Sequence, residues 1–413
     1  MFISEYPTRR IHFPWAGILT ISVALSICSC VTLPETDMEP GETRMETADS
    51  SAASDLLNQL ANGTDGERER AALQLKNPSL SDPAIVPALA AALQDPVQGV
   101  REKASVGLVR RREDPALAGV LPQLRRAMED SSGTVAYNAA VILKGHDESP
   151  DVLLPALERI YTDDAVAMET RVLAAGAAED LGAPAYLYGP VLVAGLVDDS
   201  ATAGRKALNA LRRLDTMPDE IATELVAVIA NGDPGPATSA VSLMNRHYVP
   251  RTITDPQTYA VLSVEYPNPP EGLLSALMGS LGRGDANLTE NAYSLLSQFG
   301  PKAADAAPMT VAVLTREPAA SRNERVKAIA ALGQYKVASN SVLQALLGVA
   351  QNDPEPDLRH IALFSLAGFG EDAEPVRADM ETLAREAPDE QTRNDAAGAL
   401  RLMDTWKQIN QLQ

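Results

Sequence analysis

The sequence predicts an all-α protein, an α-solenoid built as a superhelix of about ten stacked two-helix repeats. Three observations predict it. Alanine and leucine carry most of the 45% hydrophobic content, while aromatic residues make up only 4%. The 29 prolines recur at spaced positions, as they do where short helices alternate with turns. One nine-residue pattern, x-R-x-x-A-x-x-x-L, returns along the chain at a nearly constant interval. A sheet protein would need more β-branched and aromatic residues.

The chain starts with a targeting signal. Arg9 and Arg10 supply a positive start, and Phe13 to Ile27 form an uncharged apolar run. That run is about fifteen residues, short of the roughly twenty that span a bilayer, so residues 1–29 read as a signal peptide. Both cysteines of the chain follow at once, Cys28 and Cys30. The segment Ile27-Cys28-Ser29-Cys30 resembles a bacterial lipobox, and the resemblance implies lipidation of Cys30. An ordinary cleaved signal, or an uncleaved anchor with incidental cysteines, is the alternative. The rest of the chain holds no cysteine and so no disulfide framework.

Residues 31–52 are acidic, contain two prolines and show no apolar period, so 30–52 are expected to form a lipidated, disordered tether. Fully extended it would reach about 70 Å. Such an anchor would hold the body at the periplasmic face of an envelope membrane without embedding it.

The repeat occupies residues 53–404. Its segments include ERERAALQL from Glu67, VREKASVGL from Val100, ERVKAIAAL from Glu324 and LRHIALFSL from Leu358. The aligned alanines are Ala71, Ala104, Ala139, Ala174, Ala207, Ala240, Ala292, Ala328, Ala362 and Ala396. Their separations are 33, 35, 35, 33, 33, 52, 36, 34 and 34 residues, so a single interval departs from the rest. Upstream of each alanine helix a second helix is expected. Pro87, Pro122 and Pro155 are placed to open three of them, because a first-turn proline sacrifices no hydrogen bond. An Asp at the turn, as at Asp95, Asp130 and Asp164, would cap the following helix. The small alanine marks a close approach of two helices.

Two helices, an Asp-capped turn and then V-R-x-x-A-x-x-x-L resemble the HEAT repeat family, including its short bacterial forms. Asp95 with Arg101, and Asp353 with Arg359, match best; Arg68, Arg171, Arg325 and Arg393 also hold the Arg place. Ala136, Gly204, Ala237 and Thr289 replace it, so any Asp–Arg ladder would break mid-chain. The resemblance implies a surface for partner binding and assigns no residues to it.

The 52-residue interval carries an insertion near 245–272. It holds Arg246, His247, Tyr248, Arg251, Tyr259 and Tyr266, residue types common at interface anchors. Either these form part of a partner-binding surface, or the segment is a degenerate repeat that repacks locally. Tyr186 and Tyr188 are expected in an inter-repeat loop, and 405–413 as a mostly polar C-terminal tail.

The formal charge of −20 opposes nucleic-acid binding through phosphates. It keeps a large surface soluble, or suits a basic partner. The four histidines, His12, His146, His247 and His360, show no zinc spacing, and no nucleophile elbow, P-loop or dinucleotide motif occurs. No cofactor, metal or catalytic residue is therefore expected. The expected role is an envelope-associated scaffold binding a protein partner. Two readings stand beside it: a structural spacer or assembly subunit, and an enzyme related to the HEAT-like bilin lyases.

Overall fold

A computed structural model describes residues 43–254, 261–316 and 320–410. The signal peptide and Cys30 lie outside the described residues, as does Tyr259. Residues Asp49–Gln413 pack as one unit.

Twenty α-helices form ten consecutive pairs among the described residues. The first five pairs are α1 (Thr43–Asn62) with α2 (Asp65–Leu75), α3 (Ile85–Ala92) with α4 (Gln98–Arg110), α5 (Leu121–Ala127) with α6 (Gly133–Gly145), α7 (Pro150–Thr162) with α8 (Met168–Asp180), and α9 (Ala185–Leu196) with α10 (Ala201–Arg213). The remaining five are α11 (Asp219–Asn231) with α12 (Pro234–His247), α13 (Leu273–Leu281) with α14 (Ala286–Phe299), α15 (Ala307–Thr315) with α16 (Arg322–Tyr335), α17 (Asn340–Asn352) with α18 (Pro356–Ala367), and α19 (Arg377–Glu386) with α20 (Glu390–Asn410). Proline-bearing 3-10 turns at Pro115–Val120, Gly300–Ala306 and Gly370–Val376 lead into α5, α15 and α19. The even-numbered helices pack each on the next, from α2 through α20, so the chain is an all-α solenoid.

The recurrent alanine explains this packing. Each of the ten lies on an even-numbered helix, and none is more than 1% exposed. With only a methyl at this position, neighbouring helices close to contact and exclude water. The residue four places on, such as Leu75, Leu108, Leu296, Leu332 and Leu366, is fully buried beside it. The two sites share one helix face, because positions i and i+4 stack. No repeat buries this face alone, so the core is one continuous cluster from Ala53 to Met403.

Four expectations change. Helix α1 starts at Thr43, inside the segment expected to be tether. Once Ala53 and Leu60 are buried, adding turns toward the N-terminus costs little. Tyr186 and Tyr188 belong to α9, with Tyr188 buried and Tyr186 exposed. Pro190 inside that helix and Gly182 before it, at φ +80°, disguise it as a loop. Pro155 lies within α7, which Pro150 opens. Residues 405–410 continue α20, so the last helix runs through most of the expected tail.

Candidate interaction surface

The turns inside the repeats carry a ladder of charged pairs. Asp95 closes the turn before α4 by accepting the Val97 N–H at 2.9 Å. Its carboxylate also takes two bonds from Arg68 of the preceding repeat, at 2.7 and 3.0 Å. The same fork recurs from Arg101 to Asp130 at 2.7 and 3.1 Å, and from Arg325 to Asp353 at 2.8 and 3.1 Å. Arg359 reaches Asp389 at 3.1 Å.

Each arginine also closes its own turn, as Arg101 does on the Asp95 carbonyl at 3.0 Å. Arg101 and Asp95 therefore meet through the backbone, while the side-chain partner of Arg101 is one repeat further on. Burial raises the Asp95 pKa, but the Arg68 guanidinium and the Val97 N–H outweigh it and hold the carboxyl below the ordinary value. Arg171 pairs with Asp164 of its own turn, at 2.8 Å. The ladder thus has two stretches, at the two ends of the stack.

A second row of polar links crosses the even-numbered helices. Lys144 meets Asp180 at 3.0 Å, Arg213 meets Glu179 at 3.2 Å, Lys206 meets Glu169, and His360 meets Asp395 at 3.0 Å. Between α6, α8 and α10 this face dips into a hollow of about 270 Å³ over Gly176 and Ala177. Lys144, Lys206 and Arg213 rim the hollow, each already matched by a carboxylate. Among the described residues no group of His, Cys, Asp or Glu is arranged to hold a metal ion. No described helix is long and apolar enough to cross a membrane.

The insertion leaves the stack intact. Helix α12 packs on α14 and α11 on α13, so the extra residues loop out. They leave at the end opposite the charged ladder, where one repeat connects to the next. They form an antiparallel hairpin of β1 (Arg251–Thr254) and β2 (Val261–Glu265). Arg251 pairs with Glu265, Thr252 with Val264, and Ile253 with Ser263; the register shifts between Ile253 and Thr254.

The insertion residues separate into two groups. Tyr248 and Tyr266 fasten the hairpin to the helices. The Tyr248 ring lies 5.8 Å from that of Phe299, and burial pushes its hydroxyl pKa up. The Tyr266 ring covers Gly300, where an added methyl would sit 2.2 Å from a ring carbon. Lys302 donates to the Tyr266 and Pro267 carbonyls at 2.8 and 3.0 Å. His247 is half-buried, its Nε2 lacks a partner, and burial together with the Arg246 charge lowers its pKa.

Arg246 and Arg251 are exposed. Val249, Ile253 and Val264 are exposed with them, three of the eight exposed large hydrophobic residues among those described. That concentration makes the insertion an exposed apolar segment. These valines and the isoleucine had no distinguishing signal in the sequence, because a short strand and a buried helix turn look alike there.

No protein-family profile matches the chain, and no curated protein matches it. Solved structures resembling it include an engineered protein at 15% identity, with a TM-score of 0.46, covering 85% of this chain and 98% of that one. A Kap121p mutant is 14% identical with a TM-score of 0.39; the match covers 90% of this chain and 42% of Kap121p. Human deoxyhypusine hydroxylase is 17% identical with a TM-score of 0.27, covering 79% and 99%. All three scores are below 0.5, so the fold assignment rests on the chain's own helix packing. Structurally the chain is an all-α solenoid of paired helices.

Proposed function

We propose that this chain is a non-catalytic scaffold of the bacterial envelope, tethered by a lipid at Cys30, which binds a protein partner. The hairpin carries the reading: Val249, Ile253 and Val264 stand exposed beside Arg246 and Arg251, on an insertion that the continuous stack does not need. The solenoid supports it by offering a long surface with nearest-neighbour packing. The acid pairs of the turns are spent on closing those turns, since Asp163 accepts from Ala165 N–H and Asp198 from Ser200 N–H, both at 2.9 Å. The apolar run before Cys30 supports export and lipidation.

Photo-crosslinkers at positions 251, 253 and 264 of the full chain in intact envelopes test the reading. One reproducible protein adduct is expected, along with membrane association that Cys30→Ser abolishes. Absence of any adduct from these positions and from the even-numbered helix faces would remove the scaffold reading.

A further inference from the structure

The hairpin is an unfinished sheet. Its two strands pair with each other, and among the described residues no helix packs extensively against either. Among the described residues, no backbone hydrogen bond links 249–265 to a helix. In an antiparallel pair alternate residues aim their N–H and C=O at the partner, and the others aim outward. Among the described residues, β2 therefore presents an open edge of backbone donors and acceptors. Two-stranded sheets standing alone are marginal, and open edges readily accept another strand.

Backbone geometry says what would cover this edge, namely an extended segment. Charge says whose. Two copies of a chain with formal charge −20 repel each other. Along β2, the strand a third one would lie beside, the exposed charge is Glu265, which faces Arg251 across the hairpin on β1, followed by exposed Glu271. The sheet's two faces carry Val264 beside Thr252, and Ile253 beside Ser263. They suit a strand with β-branched side chains and a basic residue at its end.

We propose that the free edge of β2 accepts an extended, basic-ended segment of a partner protein as a third strand. This deepens the scaffold reading and rests on it.

The test uses the full chain in detergent and a fluorescent peptide, KVTVTVSVK. Its controls are the acidic counterpart EVTVTVSVE and a copy N-methylated at adjacent central residues, which removes a donor from each of its two edges. Ser263→Pro and Val264→Pro each remove one β2 N–H, and one of the two faces outward. Far-UV circular dichroism and the melting temperature report whether the helical stack survives, which its independence of the hairpin predicts.

The expected result is salt-sensitive binding of the basic peptide, with slowed amide exchange at 263–265. Affinity should fall by about tenfold or more for the N-methylated peptide and for the outward-facing proline variant. Unchanged exchange at 263–265 under saturating peptide overturns the proposal, as does equal binding of the acidic peptide. A peptide-free dimer that the proline variants dissociate also overturns it, because the occupant is then a second copy. If the edge fails while crosslinked adducts still form on the solenoid, the scaffold reading stands without it.

Discussion

At the residue scale, one methyl group recurs ten times and sets the spacing of the whole stack. Ala104 is fully buried where α4 meets α2 and α6. Ala104→Leu adds three carbons where no space exists, so about 1–3 kcal/mol of stability should be lost in urea unfolding. The same change at exposed Ala201, in the first turn of α10, should cost under about 0.5 kcal/mol. Asp95 works by charge instead. Its folded-state pKa lies below the ordinary 3.8, so folding favours the ionised form. The stabilisation is fully present above the ordinary value and disappears as pH falls through the lower folded value. Wild type should therefore exceed Asp95→Asn in melting temperature at pH 7, and the gap should close as pH falls below about 4. A gap that does not change with pH would assign the loss to packing.

At the element scale, the insertion depends on a few anchors. Gly300 ends α14 at φ +52°, a conformation costly to residues with a Cβ, and the Tyr266 ring occupies the space a Cβ would need. Gly300→Ala should cost about 2 kcal/mol and raise amide exchange across β1 and β2 more than in α12. Equal acceleration in α12 and the strands would show that the ring does not anchor the hairpin.

Elements of this kind also show where the sequence is readable. The alanine interval reveals the even-numbered helices because each repeat solves the same packing problem at the same position. Helix α9 escapes notice because its Pro190 and flanking glycine imitate a loop, although Tyr188 is buried within it. The insertion is visible as a broken interval, and Arg246 and Arg251 are found exposed there. Its hairpin is not visible, since strands of four and five residues carry too little period to read. Nor does tyrosine in a sequence tell an outward anchor from an inward one; Tyr248 and Tyr266 turn inward because Phe299 and Gly300 offer apolar cover.

At the scale of the whole molecule, the charged ladder decides where the solenoid opens. In a one-dimensional stack, stability is the sum of each repeat and its two interfaces. Forks from Arg68, Arg101 and Arg325, with a single bond from Arg359 to Asp389, reinforce the end repeats. Between α6 and α14, alanine, glycine or threonine stands at four of the five Arg places, and Arg171 turns to its own loop. Amide exchange should therefore be fastest in α7 to α14 and slowest toward the ladder stretches. Gly204 offers a direct repair. It lies in α10, a Cβ there meets nothing nearer than 3.7 Å, and Asp233 begins the next even-numbered helix. The 29-residue step from Gly204 to Asp233 equals that from Arg101 to Asp130. Gly204→Arg should stabilise the chain by about 1–2 kcal/mol, part from relieving a mid-helix glycine and part from a new fork to Asp233. Adding Asp233→Ala should remove the second part and leave the first. If Gly204→Arg slows exchange only within α10, the ladder does not couple repeats; slowing that extends into α12 and α13 shows that it does.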